Sequence, residues 1–136
     1  MQEQTYAYAQ KKHVQLIACI PYWFDNTYPD ILDQIIALGC DEIAIMNYHR
    51  KNERKNIENE VQLAQKYAKP IICIAELQEP GKHGLTPINT YYDVGLEAVQ
   101  STWDDLHGYF GYSQLSFSYH YYNPVQELIT KLDSSE

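Results

Sequence analysis

The chain has 136 residues and carries 10 Lys and Arg against 18 Asp and Glu, a formal net charge of −8. That is one domain at most, long enough to bury a core but short of the roughly 250 residues of a complete (β/α)8 barrel. Basic residues cluster only at Lys11-Lys12 and over residues 50–55, which argues against recognition of a nucleic-acid backbone by phosphate neutralisation.

Residues 1–12 read as a short polar helix or a frayed arm. Residues 13–20 form a nearly continuous apolar run, as in a strand covered on both faces, and Pro21 ends it because proline cannot donate to a ladder. Asn26-Thr27 offers an N-cap before Pro29. Ile31, Leu32, Ile35, Ile36 and Leu38 then recur at helical spacing, and Gly39 stops the helix. Residues 42–47 are the second strand. A helix opens at Asn56-Ile57-Glu58-Asn59-Glu60, with Ile57, Val61, Ala64 and Ala68 as its buried stripe. Residues 70–75 are the third strand. The loop over residues 76–90 is long, and long loops in compact domains tend to be functional or mobile. Residues 91–107 read as a helix, and Gly108-Tyr109-Phe110-Gly111 as a turn. Residues 112–119 mostly alternate as a strand does, and residues 124–132 close the chain with a helix.

Strands that alternate with helices imply a parallel sheet with right-handed crossovers. Two α/β architectures fit: an open doubly wound sheet, or half of a (β/α)8 barrel with four strands and four to five helices. The bulky Pro21-Tyr22-Trp23-Phe24-Asp25 stands where a dinucleotide fold needs glycines, which weighs against a Rossmann-type site; either architecture would be a single domain over residues 1–136. Each strand ends in polar and aromatic residues, the place where α/β folds gather their chemistry. Thirteen tyrosines suit a core as well as flat, amphipathic ligands such as sugars.

Several strand-end elements together resemble the C-terminal half of a glycoside-hydrolase-like TIM-barrel family. These are family 18-like barrels and bacterial proteins of poorly defined activity. The elements are Ile20-Pro21-Tyr22-Trp23, Met46-Asn47-Tyr48-His49-Arg50, Ala75-Glu76-Leu77, and the turn from Gly108 to Gly111 followed by His120-Tyr121-Tyr122. The resemblance covers most of residues 13–122. It implies a TIM-barrel fold with a carbohydrate site at the carboxyl ends of the strands. It also implies that the first four strands, which in family 18 carry an Asp-x-x-Asp-x-Asp-x-Glu run, are absent here. The alternative is therefore a vestigial, non-catalytic ligand-binding or assembly module.

Glu76 directly follows an apolar strand, and a carboxylate there could serve as acid or base. Asp25 is its candidate catalytic partner, although a charge at a helix N-terminus reads equally well. Tyr22, Trp23, Tyr48, His49, Arg50, Glu79, His120 and Tyr122 are the candidate substrate-binding residues. His49, His120 and Glu76 could form a two-His, one-carboxylate metal set, but hydrogen bonding to substrate hydroxyls suits both histidines better. No metal or cofactor is expected. The three cysteines show no metal-ligand spacing and suggest a reducing compartment. The start lacks a signal-peptide pattern and no apolar run approaches the roughly 20 residues of a membrane span. The expectation is a cytoplasmic protein that binds a small polar ligand and pairs through its exposed sheet edges as a homodimer.

Overall fold

The computed structural model describes residues 2–135; Met1, the start of the expected N-terminal helix, lies outside them. In chain order the elements are α1 (Gln2–Lys11), β1 (Ile17–Pro21), α2 (Phe24–Thr27), α3 (Pro29–Leu38), β2 (Glu42–Met46), α4 (Glu53–Tyr67), β3 (Ile71–Glu76), a single 3-10 turn (Pro87–Asn89), α5 (Leu96–Phe110), β4 (Leu115–His120) and α6 (Tyr122–Ser135). The fold is α/β. Its four strands are all parallel and lie in the order β1-β2-β3-β4.

That order separates the two architectures. Right-handed crossovers that always step to the same side put every connecting helix on one face of the sheet. A doubly wound sheet instead reverses its strand order once. The packing agrees with the first case. Leu32 and Ile36 of α3, Ile57, Val61 and Ala64 of α4, and Leu106 of α5 form one core with Ile20, Ile43, Ile45, Ile71, Cys73 and Leu115 from the strands. Because side chains alternate along a strand, the strand residues between these, such as Ile17, Cys19, Ile72, Ile74, Ser116 and Ser118, point to the opposite face. That face is uncovered: Ile17 is 49% exposed, Cys19, Ser116 and Ser118 are exposed, and Met46, Ile72 and Ile74 are half-buried. This is the arrangement of half a βα barrel, with the helix layer built and the inner face open.

α1 and the site lie at opposite ends of the strands. Tyr6 donates its hydroxyl to Asp41 Oδ1 at 2.8 Å, and Asp41 Oδ2 accepts the Leu16 N–H at 2.8 Å. The Leu16 backbone bond and the Tyr6 hydroxyl hold the Asp41 carboxyl below the usual range. These bonds fix α1 beneath the amino ends of β1 and β2.

Several boundaries differ from the sequence expectation. Residues 13–16 lead into β1 instead of belonging to it, with His13 at φ 58°. Asn26 and Thr27 do not cap the long helix. They end the separate turn α2, and Pro29 opens α3 after Tyr28. α4 begins three residues earlier than expected, at Glu53, and Ala68 is its left-handed C-cap rather than part of its buried stripe. Residues 91–95 are turns, because Gly95 at φ 88° and ψ 175° breaks the helical path before α5. At its other end α5 runs through Gly108 and stops at Gly111, which lies at φ 58°. Residues 112–114 precede β4. There Tyr112 donates its hydroxyl to the Lys69 carbonyl at 2.7 Å, so its apolar ring belongs to the helix layer.

Candidate functional site

Glu76 is the last residue of β3 and pairs in register with His120, the last residue of β4. Both lie on the open face, so the pleat sets their side chains next to each other. Glu76 is 2% exposed, and a buried carboxylate requires hydrogen-bond partners. It has them: Oε1 accepts the backbone N–H groups of Leu77 and Gln78, each at 2.9 Å. Oε2 meets His120 Nδ1 at 2.9 Å. A carboxylate is acceptor-only, so Nδ1 carries the proton. This leaves Nε2, across the ring, as the atom that faces outward from a side chain 46% exposed.

Three groups frame the pair. The Tyr48 ring lies 6.0 Å from the His120 ring. Burial, then the charges of Glu76 and Cys19, push its hydroxyl well above the ordinary tyrosine range, so it stays a neutral donor. The Tyr121 ring lies 6.3 Å from His120, on a backbone at φ 70°, a left-handed conformation that is unusual for a bulky residue. The Gln78 amide lies 3.4 Å from both Glu76 Oε2 and His120 Nδ1, the long end of hydrogen bonding.

The loop after β3 folds back onto this pair. Thr90, 1% exposed, donates its hydroxyl to the Gln78 carbonyl at 2.7 Å, and the Tyr91 N–H bonds the Glu76 carbonyl at 2.9 Å. Thr90 was given no role in the sequence because it has no titratable group, and Leu77 appeared there only within the element Ala75-Glu76-Leu77. A cavity of about 190 Å³ opens beside Gln78 and Tyr121, with Glu79 and Lys82 on its wall. These two form an ion pair at 2.8 Å.

The other expected site residues fall in different places. Arg50 donates Nε and Nη2 to the Pro87 carbonyl at 3.1 and 3.0 Å, so it fastens the loop after β2 to the loop after β3. His49 packs 6.2 Å from the Tyr22 ring, and its buried Nδ1 makes no hydrogen bond to the protein. Trp23 and Tyr122 are 49% and 68% exposed. Among the described residues, no group of three or more His, Cys, Asp or Glu is placed to hold a metal ion. His49, His120 and Glu76 therefore do not converge.

Asp25 belongs to another cluster. It is 7% exposed on α2, and its Oδ2 accepts the Asn59 side-chain amide of α4 at 2.7 Å. Beside Asn59, Glu60 is wholly buried. Neither Glu60 oxygen, nor Asp25 Oδ1, has a hydrogen-bond partner. No hydrogen bond or ion pair among the described residues joins Asp25 to Glu76. The sequence did carry a signal for Glu60. Three residues after Ile57 and four before Ala64, it occupies a position on the buried stripe of α4, where an unpaired carboxyl is out of pattern.

Comparisons with protein-family models, with curated proteins and with solved structures find no match for this chain.

Proposed function

We propose that the chain is a glycoside-hydrolase-like half-barrel that binds a carbohydrate or similar polyhydroxylated ligand at the carboxyl ends of β1 to β4. The observation that carries this reading is the Glu76–His120 pair. A buried carboxylate fixed by two backbone N–H groups holds the imidazole through Nδ1 and, in the neutral ring, leaves Nε2 as the acceptor. In such a pair the carboxylate orients the ring and does not itself take the proton. An Nε2 so placed accepts a hydroxyl proton, either as a binding contact or as a general base. Tyr48 and Tyr121 supply the ring faces and hydroxyls that suit a sugar.

Binding has more support than hydrolysis. Glycosidases need two carboxylates across the scissile bond, and Asp25 faces α4 instead. The test is an NMR titration of the ¹⁵N-labelled protein with a panel of mono- and disaccharides, next to an assay on nitrophenyl glycosides. At least one saccharide is expected to shift the His120, Tyr48 and Gln78 resonances, and His120→Ala to weaken it by up to about tenfold, the worth of one neutral hydrogen bond. If no saccharide moves these resonances, or His120→Ala binds as well as the parent, the reading is wrong.

The uncovered sheet face favours a second reading, an assembly module. Two copies related by a two-fold axis along the strands would set β4 of each beside β1 of the other, giving eight parallel strands and no open edge. Light scattering on a sizing column tests this: a dimer is expected, and a monodisperse monomer at about 100 μM, a concentration at which even a weak association of micromolar Kd would be saturated, would rule it out.

A further inference from the structure

The pleat sets Glu76 and His120 side by side, but it does not place Tyr48. The Asn47 N–H still bonds the Ile74 carbonyl, and after it the chain leaves the sheet. Among the described residues nothing hydrogen-bonds the Tyr48 hydroxyl, so the backbone must aim the ring. That backbone is held by Asn89, whose Nδ2 donates to the Tyr48 carbonyl at 2.8 Å.

The Asn89 amide has one workable orientation. Its Oδ1 accepts the Thr86 N–H at 3.0 Å and the Thr86 hydroxyl at 2.7 Å. A backbone N–H only donates and a carbonyl only accepts, so oxygen faces Thr86 and nitrogen faces Tyr48. The residues around Asn89 tie the same segment to both strand ends. The Arg50 N–H bonds the Ile88 carbonyl at 2.9 Å, on the side of β2. Thr90 and Tyr91 bond the Gln78 and Glu76 carbonyls, on the side of β3. Residues 88–91 therefore bridge the end of β2 to the end of β3.

We propose that Asn89 is a positioning residue of the strand-end site: through the Tyr48 carbonyl it keeps the Tyr48 ring beside the His120 imidazole, and so sets the width of the space a ligand enters at Nε2. The proposal takes the nature of that ligand from the carbohydrate reading. The ring contact, 6.0 Å between centroids, stands without it. The Glu76–His120 pair does not pass through Asn89, because Glu76 is held by the Leu77 and Gln78 N–H groups and His120 by Glu76. Loss of the Asn89 donor thus moves Tyr48 and leaves His120 in place, whereas general loosening of the site would move both.

Asn89→Asp keeps an oxygen for Thr86 and sets an acceptor where Tyr48 requires a donor. Thr86→Val is the complementary variant, which trims the cap and leaves the amide donor. In the ligand-free proteins, NMR follows the NOEs between the Tyr48 and His120 rings and the ¹⁵N shifts of the imidazole. Asn89→Asp is expected to lose the ring–ring NOEs with the imidazole shifts unchanged, and Thr86→Val to keep both. Parent-like ring–ring NOEs in Asn89→Asp overturn the proposal. So does an equal loss in Thr86→Val, which would make Asn89 a loop cap and nothing more. Should Asn89→Asp fail to fold, Asn89→Ala, which removes the donor without adding a charge, takes its place in the comparison. With a saccharide that shifts the His120 resonances, Asn89→Asp should weaken binding as far as Tyr48→Ala does, and the double variant no further; additive losses overturn the proposal. If no saccharide binds the parent, the carbohydrate reading fails, and the ring–ring NOEs still decide the role of Asn89.

Discussion

At the scale of single residues, the molecule uses its two buried glutamates in opposite ways. Glu76 is surrounded by donors and Glu60 has none. Removing each therefore has a different sign. Glu76→Ala leaves the Leu77 and Gln78 N–H groups without an acceptor and is expected to cost about 2 kcal/mol, measured by urea denaturation. Glu76→Gln keeps an oxygen for them and costs less. For Glu60 the folded-state value, about 8, lies above the unfolded one, about 4.3. The native state therefore holds more protons than the unfolded state between these values, and stability falls as pH rises through that window. Glu60→Gln removes this dependence. Its urea midpoint should stay nearly level from about pH 5 to pH 8, while the parent's declines. A parent whose midpoint rises over that range would contradict the burial of Glu60.

At the scale of elements, glycine makes two contrasting predictions. Gly95 lies at φ 88° and ψ 175° with nothing within 4 Å of an added Cβ. Gly95→Ala is therefore strained by backbone conformation alone and is expected to lose about 1–3 kcal/mol. Gly108 lies inside α5, also with open space around it, so Gly108→Ala should gain about 0.5–1 kcal/mol. Equilibrium unfolding of the two variants settles both signs. The sequence misread both glycines, placing Gly95 inside a helix and Gly108 in a turn, because composition does not reveal which glycine has a positive φ. The four strands were legible because their apolar runs are bounded by proline, glycine and polar clusters. Their edges were not, since Tyr112 imitates a strand residue while its hydroxyl binds the Lys69 carbonyl in the link between α4 and β3. The Glu76–His120 pair was legible as two strand ends and as two members of a possible metal set with His49, not as a hydrogen-bonded pair. The register that makes them neighbours depends on how β3 and β4 align, which no local pattern encodes. Arg50 read as a ligand contact, and the structure adds a role no pattern showed: its Nε and Nη2 bond the Pro87 carbonyl.

At the scale of the whole molecule, the open sheet face governs behaviour in solution. Cys19 lies exposed on that face, whereas Cys40 and Cys73 are buried and burial pushes the Cys73 thiol up to about 12. A thiol reagent in limiting amount should therefore label Cys19 first, as read by peptide mass spectrometry. If a second copy covers the face, the labelling rate falls as protein concentration rises; a rate independent of concentration would mean that the face stays open. Each copy carries a net charge of −8, so association of two copies should strengthen with added salt, which screens their repulsion.

The strand order has a consequence for how the chain assembles. Every strand pairs only with its neighbour in sequence, so the sheet can grow outward by local closures of the kind that fold quickly. The longest of these closures joins β3 to β4 and spans the 3-10 turn and α5. β4 is therefore expected to dock last, and because His120 ends β4, the Glu76–His120 pair forms only as the sheet is completed. Pulse-labelled hydrogen exchange during refolding should protect the amides of β2 before those of β4, and the reverse order would refute outward growth. The His120 imidazole is then also a marker of a finished fold: a partly assembled chain holds Glu76 without its histidine.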